Sequence, residues 1–258
     1  RKKLNKYKLK EVIKMACRKA RRAMERAQMT EVVQSEKIVM EEGQPTERLW
    51  FGVDSNVRAD NILQNNLTEF EWVERNILYP AFWGRNIVGE NCLTPEEIDF
   101  LHGKACRIAA IYADHGVKET EEHGKRIAED VAEIAMNLRI PFGTAIFLDL
   151  GMDDYISRDC MLGYSDMLIE EGFIPGFKAN TDSKVEFDRE FSRGMQTDKD
   201  VFKLCLIWAV SPTVEEYNGI TTSHLIHPDN WTPYAPSGIT RNEIAIWQYG
   251  VNCHPIED

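Results

Sequence analysis

Short apolar runs recur along most of this chain, and their recurrence limits the fold more than any other feature. They span Leu49–Val53, Ala81–Arg85, Arg107–Ala113, Ala145–Leu150, Phe173–Lys178, Phe202–Val210 and Ile244–Tyr249. Each has the length of a strand buried on both faces and is bounded by turn formers. Between several of them the apolar period lengthens to that of a helix. One such segment, TPEEIDFLHGKA, starts at Thr94 with Pro95 and two acids in its first turn, a helix-start signature. A second, ETEEHGKRIAEDVAEIAMNL, stops before Pro141, and a third, RDCMLGYSDMLIEEG, closes on Gly172. Strand alternating with helix predicts a parallel α/β domain. The chain contains neither GxGxxG nor GxxxxGK[ST], so the nucleotide-binding versions of that class have no motif behind them. A TIM-type (β/α) barrel fits the seven runs, with one further strand irregular or lost in the Pro- and Gly-punctuated residues 211–243.

The ends of the chain differ in charge. Residues 1–29 carry twelve Lys and Arg against two Glu, a net of +10, and the whole chain is at −11, which leaves −21 for the rest. An acidic body argues against nucleic acid as its partner. Within the basic arm, Leu4, Leu9, Val12, Ile13, Ala16, Ala20, Ala23 and Ala27 fall near one helical face. This predicts a basic amphipathic N-terminal helix that packs on another domain or protein. Docking on a membrane surface is the sharper alternative, against which the Ala-rich face without Trp or Phe counts. EEGQPTE at 41–47 reads as a linker, so the expected domains are an arm over 1–47 and a barrel over 48–258. No run approaches the roughly 18 apolar residues of a membrane span. The basic start lacks the apolar core of a signal peptide, and the chain opens on Arg1, as a piece of a longer protein would. The cysteines, Cys17, Cys92, Cys106, Cys160, Cys205 and Cys253, form no CxxC pair, so no zinc site is expected. Cys106 and Cys205 read as buried free thiols.

In a parallel barrel, chemistry gathers at the carboxyl ends of the strands. Those ends carry Asp54, Arg85, Asp114, Asp149, Asn180, Trp208 and the segment Trp247-Gln248-Tyr249. Acids, one Arg and aromatics suit a sugar, because ring faces stack on pyranoses and carboxylates do acid, base and cation-stabilising work. Each residue also has a structural reading. Asp54 ahead of Ser55-Asn56 fits a turn or helix cap, and Asp149 fits the same. Trp208 and Trp247 fit a core, and Arg85 fits a structural ion pair. Asp114 before His115-Gly116 reads as loop. The histidines are scattered and read as structural or solvated, with His224, His227 and His254 in loops. Glu121, Glu122, Glu129 and Glu133 read as a solvated helix face.

In order, FGVDSN, FWGRN, AAIYAD, IFLDLG, GFIPGFKAN, LIWAV and IAIWQYG resemble the glycoside-hydrolase-like barrel domains of the DUF1906 type, distant relatives of the family 25 lysozymes that cleave peptidoglycan. The resemblance runs from Leu49 to Asp258 and leaves the basic arm uncovered. It implies a sugar-binding cleft with Asp54 and Asp149 as its carboxylates, and it places the last-strand aromatics at Trp247-Gln248-Tyr249 with a late acid at Asp258. Family 25 lysozymes carry Asp-x-Glu on the fourth strand. Residues i and i+2 share a strand face with Cα atoms roughly 6–7 Å apart, so that Glu would protonate the leaving oxygen. Here its position is Gly151, and loss of such a group removes about 10²–10⁴ in rate. Asp153 or Asp154 is the candidate replacement from the loop, unless DDYISRD only caps the next helix.

The expected catalytic set is therefore Asp54, Asp149 and Asp153. The expected substrate-binding set is Arg85, Asn180, Trp208, Trp247, Gln248, Tyr249 and Asp258. No metal and no cofactor are implied. The implied activity is that of a glycoside hydrolase-like domain acting on cell-wall polysaccharide. The alternatives are a glycan-binding barrel that has lost its chemistry, and an assembly module docked through the basic helix. Such a substrate implies an extracellular or cell-envelope location, or delivery by a phage or similar particle.

Overall fold

The computed structural model of the chain describes residues 49–151, 154–214 and 230–251. The basic arm and the boundary expected at residue 47 lie outside the described residues.

Seven strands form one sheet: β1 (Gly52–Asp54), β2 (Phe82–Asn86), β3 (Arg107–Ala113), β4 (Ala145–Asp149), β5 (Ile174–Asn180), β6 (Leu206–Val214) and β7 (Ile244–Gly250). They lie in chain order, and each is parallel to the next. Parallel neighbours require a crossover. Helices α1 (Glu69–Asn76), α2 (Pro95–Gly103), α3 (Glu121–Asn137) and α4 (Arg158–Glu170) supply the first four, and α5 (Glu186–Thr197) with α6 (Lys199–Phe202) supplies the fifth. Phe202, expected in the sixth strand, instead ends α6. Its ring packs against Phe191 of α5 in the helix layer, and the strand begins only at Leu206. Of the stretch expected to hide an eighth strand, 211–214 completes β6, residues 230–243 hold only turns and a 3₁₀ turn at Arg241–Glu243, and 215–229 lie outside the described residues.

The sheet curls. Lys178 on β5 reaches Asp54 on β1, four strands away, whereas a flat sheet would separate those strands by ~19 Å at ~4.8 Å per step. Phe82 of β2 likewise meets Trp208 of β6 edge-on, with centroids 6.5 Å apart. The result is a half-barrel with two buried faces, which is why its strands read as continuous apolar runs rather than alternating ones. On the outer face Ala110, Ile146, Leu148, Phe177, Ala179, Ile207 and Ala209 pack with Ile127, Val131, Leu168, Phe187 and Phe191 from the helices. Inside, Ile111, Phe147 and Trp208 form a small apolar plug. A separate cluster under α1 and α2 centres on Phe70 stacked on Trp83, 5.8 Å between centroids.

Helix starts follow local chemistry. Thr68, Thr94, Thr120 and Ser157 each accept a hydrogen bond from a backbone N–H in the first turn of α1, α2, α3 and α4. Helices α3 and α4 cross where Gly124 faces the carbonyl of Cys160 and Gly163 faces that of Glu121, and a Cβ at either glycine would overlap that backbone. Among the described residues no helix is long and apolar enough to cross a membrane. Cys106 and Cys205 are buried free thiols, each pushed up to about 12 by burial.

Candidate functional site

Strand parity decides what the mouth of the half-barrel contains. Asp54 and Asp149 end β1 and β4 on the inner face, and Lys178 stands between them on β5. The Lys178 ammonium donates to Asp54 Oδ2 at 2.6 Å and to Asp149 Oδ2 at 3.0 Å, so those two oxygens lie at most 5.6 Å apart. Below them the Trp208 ring lies 5.3 Å from the ammonium, centroid to nitrogen, a cation–π distance. Burial pulls the lysine's pKa down, but the two carboxylates beside it more than offset that and hold it above its ordinary value. The trio is thus two carboxylates around one fixed ammonium. Gly84 makes room for it, since a Cβ there would lie 2.7 Å from Trp208 Cη2 and 3.2 Å from Asp54 Oδ1.

Lys178 was not among the residues expected at the site, although the sequence held a signal. A lysine inside the apolar run FIPGFKA is an uncommon position for an ammonium unless acids are waiting for it. Asn180, the expected residue, shares its strand face. Its Oδ1 accepts from Asp182 N–H at 3.0 Å, as in an Asx turn.

Other expected site residues lie elsewhere. Arg85 points outward and has no exposed surface. Its Nε donates to Glu97 Oε1 at 2.8 Å, and its two terminal nitrogens donate to the carbonyls of Ser55 and Asn91, each at 2.6 Å. Buried, with all three nitrogens engaged, Arg85 is a strut for the loop after Asp54 rather than a substrate ligand. Trp208 is 2% exposed, packed edge-on against Phe147 at 5.4 Å, and forms the floor rather than a stacking wall. Trp247 is turned to the other face of β7, 7% exposed, donating Nε1–H to the Ser211 carbonyl at 2.9 Å and edge-on to Trp231. Tyr249 shares that face against Trp247. Gln248 alternates with them and so lies on the inner face, and its buried Oε1 has no hydrogen-bond partner. Asn86 on the inner face of β2 donates to Asn56 Oδ1 at 3.2 Å and likewise has a buried Oδ1 without a partner. Asp153 and Asp258 lie outside the described residues. Among the described residues no group of three or more His, Cys, Asp or Glu is placed to hold a metal.

The loop beyond β4 turns back on the loop beyond β3. Asp154 Oδ1 accepts from Gly116 N–H at 2.7 Å, while its Oδ2 accepts from Gly151 N–H at 2.9 Å and lies 3.2 Å from His115 Nδ1. Burial would raise this carboxyl's pKa, but the two amide donors and the imidazole outweigh it and hold Asp154 below the usual carboxylate range. The two loops are further stitched by a parallel bridge between Lys118 and Ile156 and by Ser157 Oγ donating to the Glu119 carbonyl at 2.5 Å. Asp154 therefore does more than cap α4, whose cap is Ser157. The space beside Gly151 is bounded by this pair, since a Cβ there would lie 3.2 Å from Asp154 Oδ2 and 3.4 Å from His115 Nδ1.

The chain matches no protein-family model and no curated protein. Among solved structures it is similar to an uncharacterized protein of B. stearothermophilus, with a TM-score of 0.65 and 21% identity over 80% of this chain and 91% of that one. That likeness concerns the fold. It is also similar to the modular autolysin LytC of Streptococcus pneumoniae in complex with a synthetic peptidoglycan ligand, with a TM-score of 0.42 and 12% identity over 76% of this chain and 42% of the autolysin.

Proposed function

We propose that this chain is a glycoside-hydrolase-like domain of TIM-barrel type that acts on bacterial cell-wall glycan at the mouth of its half-barrel, with Asp54 and Asp149 as the working carboxylates. The observation that carries this reading is the meeting of those two acids, from strands on opposite sides of the curl, on one lysine. The two oxygens that share the lysine lie at most 5.6 Å apart, short of the ~6.5–9.5 Å spacing of inverting glycosidases. Two carboxylates against one ammonium leave the trio negative, which suits the cation-like sugar that forms as a glycosidic bond breaks. Gln248 and Asn86 stand on the inner faces of β7 and β2 at the same mouth, and we assign them to the lining of the sugar cleft. The order of the motifs from FGVDSN to IAIWQYG supports the substrate class. A cell-wall substrate places the protein outside the cell or facing the envelope, and residues 1–47 then serve to dock it on another domain or protein.

A second reading has its own observation. Lys178 engages both carboxylates, and Gly151 supplies no acid, as in a barrel that binds glycan without cutting it. Purified peptidoglycan separates the two. Reducing-sugar release by the full chain that disappears in Asp149→Asn is the expected result. No release from either protein, with both still sedimenting with peptidoglycan, would leave the binding reading in its place.

A further inference from the structure

Resting on the hydrolase reading above, we infer that His115, oriented by Asp154, is the proton donor and acceptor of this site, in the place that Gly151 leaves without an acid. Gly151 follows Asp149 by two residues. Leu150 N–H still donates to the Lys178 carbonyl at 2.8 Å, so the strand geometry carries on past Asp149 and residue 151 returns to its face. The space that a side chain at 151 would enter is bounded by the Asp154 carboxylate and the His115 imidazole. An acid is therefore absent from the strand, but a proton-transfer pair stands beside the same position, roughly 6–7 Å along the strand from Asp149.

The roles within the pair follow from their bonding. Asp154 is met by two backbone N–H groups, which fixes it as an acceptor. His115 Nδ1 must then donate to Asp154 Oδ2, and this leaves Nε2 to give or take a proton. A carboxylate on Nδ1 with a free Nε2 is how an imidazole is set for acid–base work. The His115 side chain is 73% exposed while that of Asp154 is 11% exposed, so the working nitrogen is reachable and its anchor is not. The charged groups around the pair are Asp114, one residue back in the chain, Asp149 on β4, and Lys118. The last is buried beneath the loop with its ammonium on the Gly116 carbonyl at 3.0 Å.

In the step this implies, the imidazolium passes its Nε2 proton to the glycosidic oxygen. The bond from that oxygen to the anomeric carbon breaks, and its electron pair stays with the oxygen. The cation-like sugar is faced by the Asp149 carboxylate. Water then adds to the anomeric carbon and gives its proton to the now neutral imidazole, which restores the starting state.

The test uses the full chain on two substrates, purified peptidoglycan and a dinitrophenyl glycoside of an N-acetylhexosamine disaccharide, whose leaving group needs no proton. His115→Gln is expected to cut kcat/KM on peptidoglycan by about 10²–10⁴-fold and to leave kcat/KM for the dinitrophenyl substrate, which is set by bond cleavage before water adds, near that of the unaltered chain. Asp154→Asn is expected to lower peptidoglycan cleavage while sparing the dinitrophenyl substrate, because it removes the carboxylate that orients the imidazole. Asp149→Asn is expected to lose both substrates. If His115→Gln cleaves peptidoglycan as well as the unaltered chain while Asp149→Asn does not, the proton-donor role fails and the hydrolase reading stands. Equal losses of kcat/KM on both substrates in His115→Gln would also overturn it. An unaltered chain inert on both would overturn the two together.

Discussion

A guanidinium with no exposed surface must be paired, and each of the three Arg85 nitrogens donates one bond, to Glu97, Ser55 and Asn91. Glu97 is equally buried and takes a second bond from Ala59 N–H at 2.8 Å. Removing one partner of such a pair strands the other's charge, at about 3–5 kcal/mol, while replacing both with apolar groups costs far less. Arg85→Ala should therefore lower the urea midpoint by an amount worth about that much, and Arg85→Met with Glu97→Leu should recover most of it. Equal losses in the single and double variants would mean that the pair is not coupled as drawn. The residue type at 85 was legible as a cation at a strand end. Its direction was not, because one step along a strand exchanges the mouth of the half-barrel for the helix layer. The same parity turns Trp247 and Tyr249 away from the mouth and brings Gln248 into it.

Elements were more legible than residues, because what starts and stops them is local. Thr94 with Pro95 and Ser157 stand at the starts of α2 and α4 as their sequences imply, and β3 runs over Arg107–Ala113 as its apolar run does. Helix α5 was not singled out, and its start explains why: Val185 precedes it without a side-chain cap. Helix α1 is short, but its capping box, Thr68 with Glu71, was there to find. The interior glycines of α3 and α4 were unreadable from either helix alone. By propensity, Gly163→Ala should stabilise a helix by up to ~1 kcal/mol. In this fold the added methyl meets the backbone at Glu121, which cannot rotate away. The variant should instead lose about 1–3 kcal/mol, the usual cost of overpacking, read as a lower thermal midpoint. A rise would sink the close-crossing account.

For the whole molecule, the tie between β1, β4 and β5 through Lys178 gives stability a dependence on alkaline pH. Because its ammonium is held above the ordinary lysine value of 10.5, the stabilisation it lends is complete below that value and fades as the pH climbs through the raised one. Thermal unfolding of the unaltered chain and of Lys178→Met should differ most near neutrality and converge above pH ~10.5. A gap that stays constant up to pH ~12 would show that the lysine is not held by the two acids. By itself the sequence determined the order of strands and helices and the acids waiting at strand ends, since periodicity and capping act within a few residues. The tertiary structure alone decided which of those groups work together. Asp54 and Lys178 are 124 positions apart in the chain. They meet because the sheet curls, because parity turns both inward, and because Gly84 leaves room beneath them.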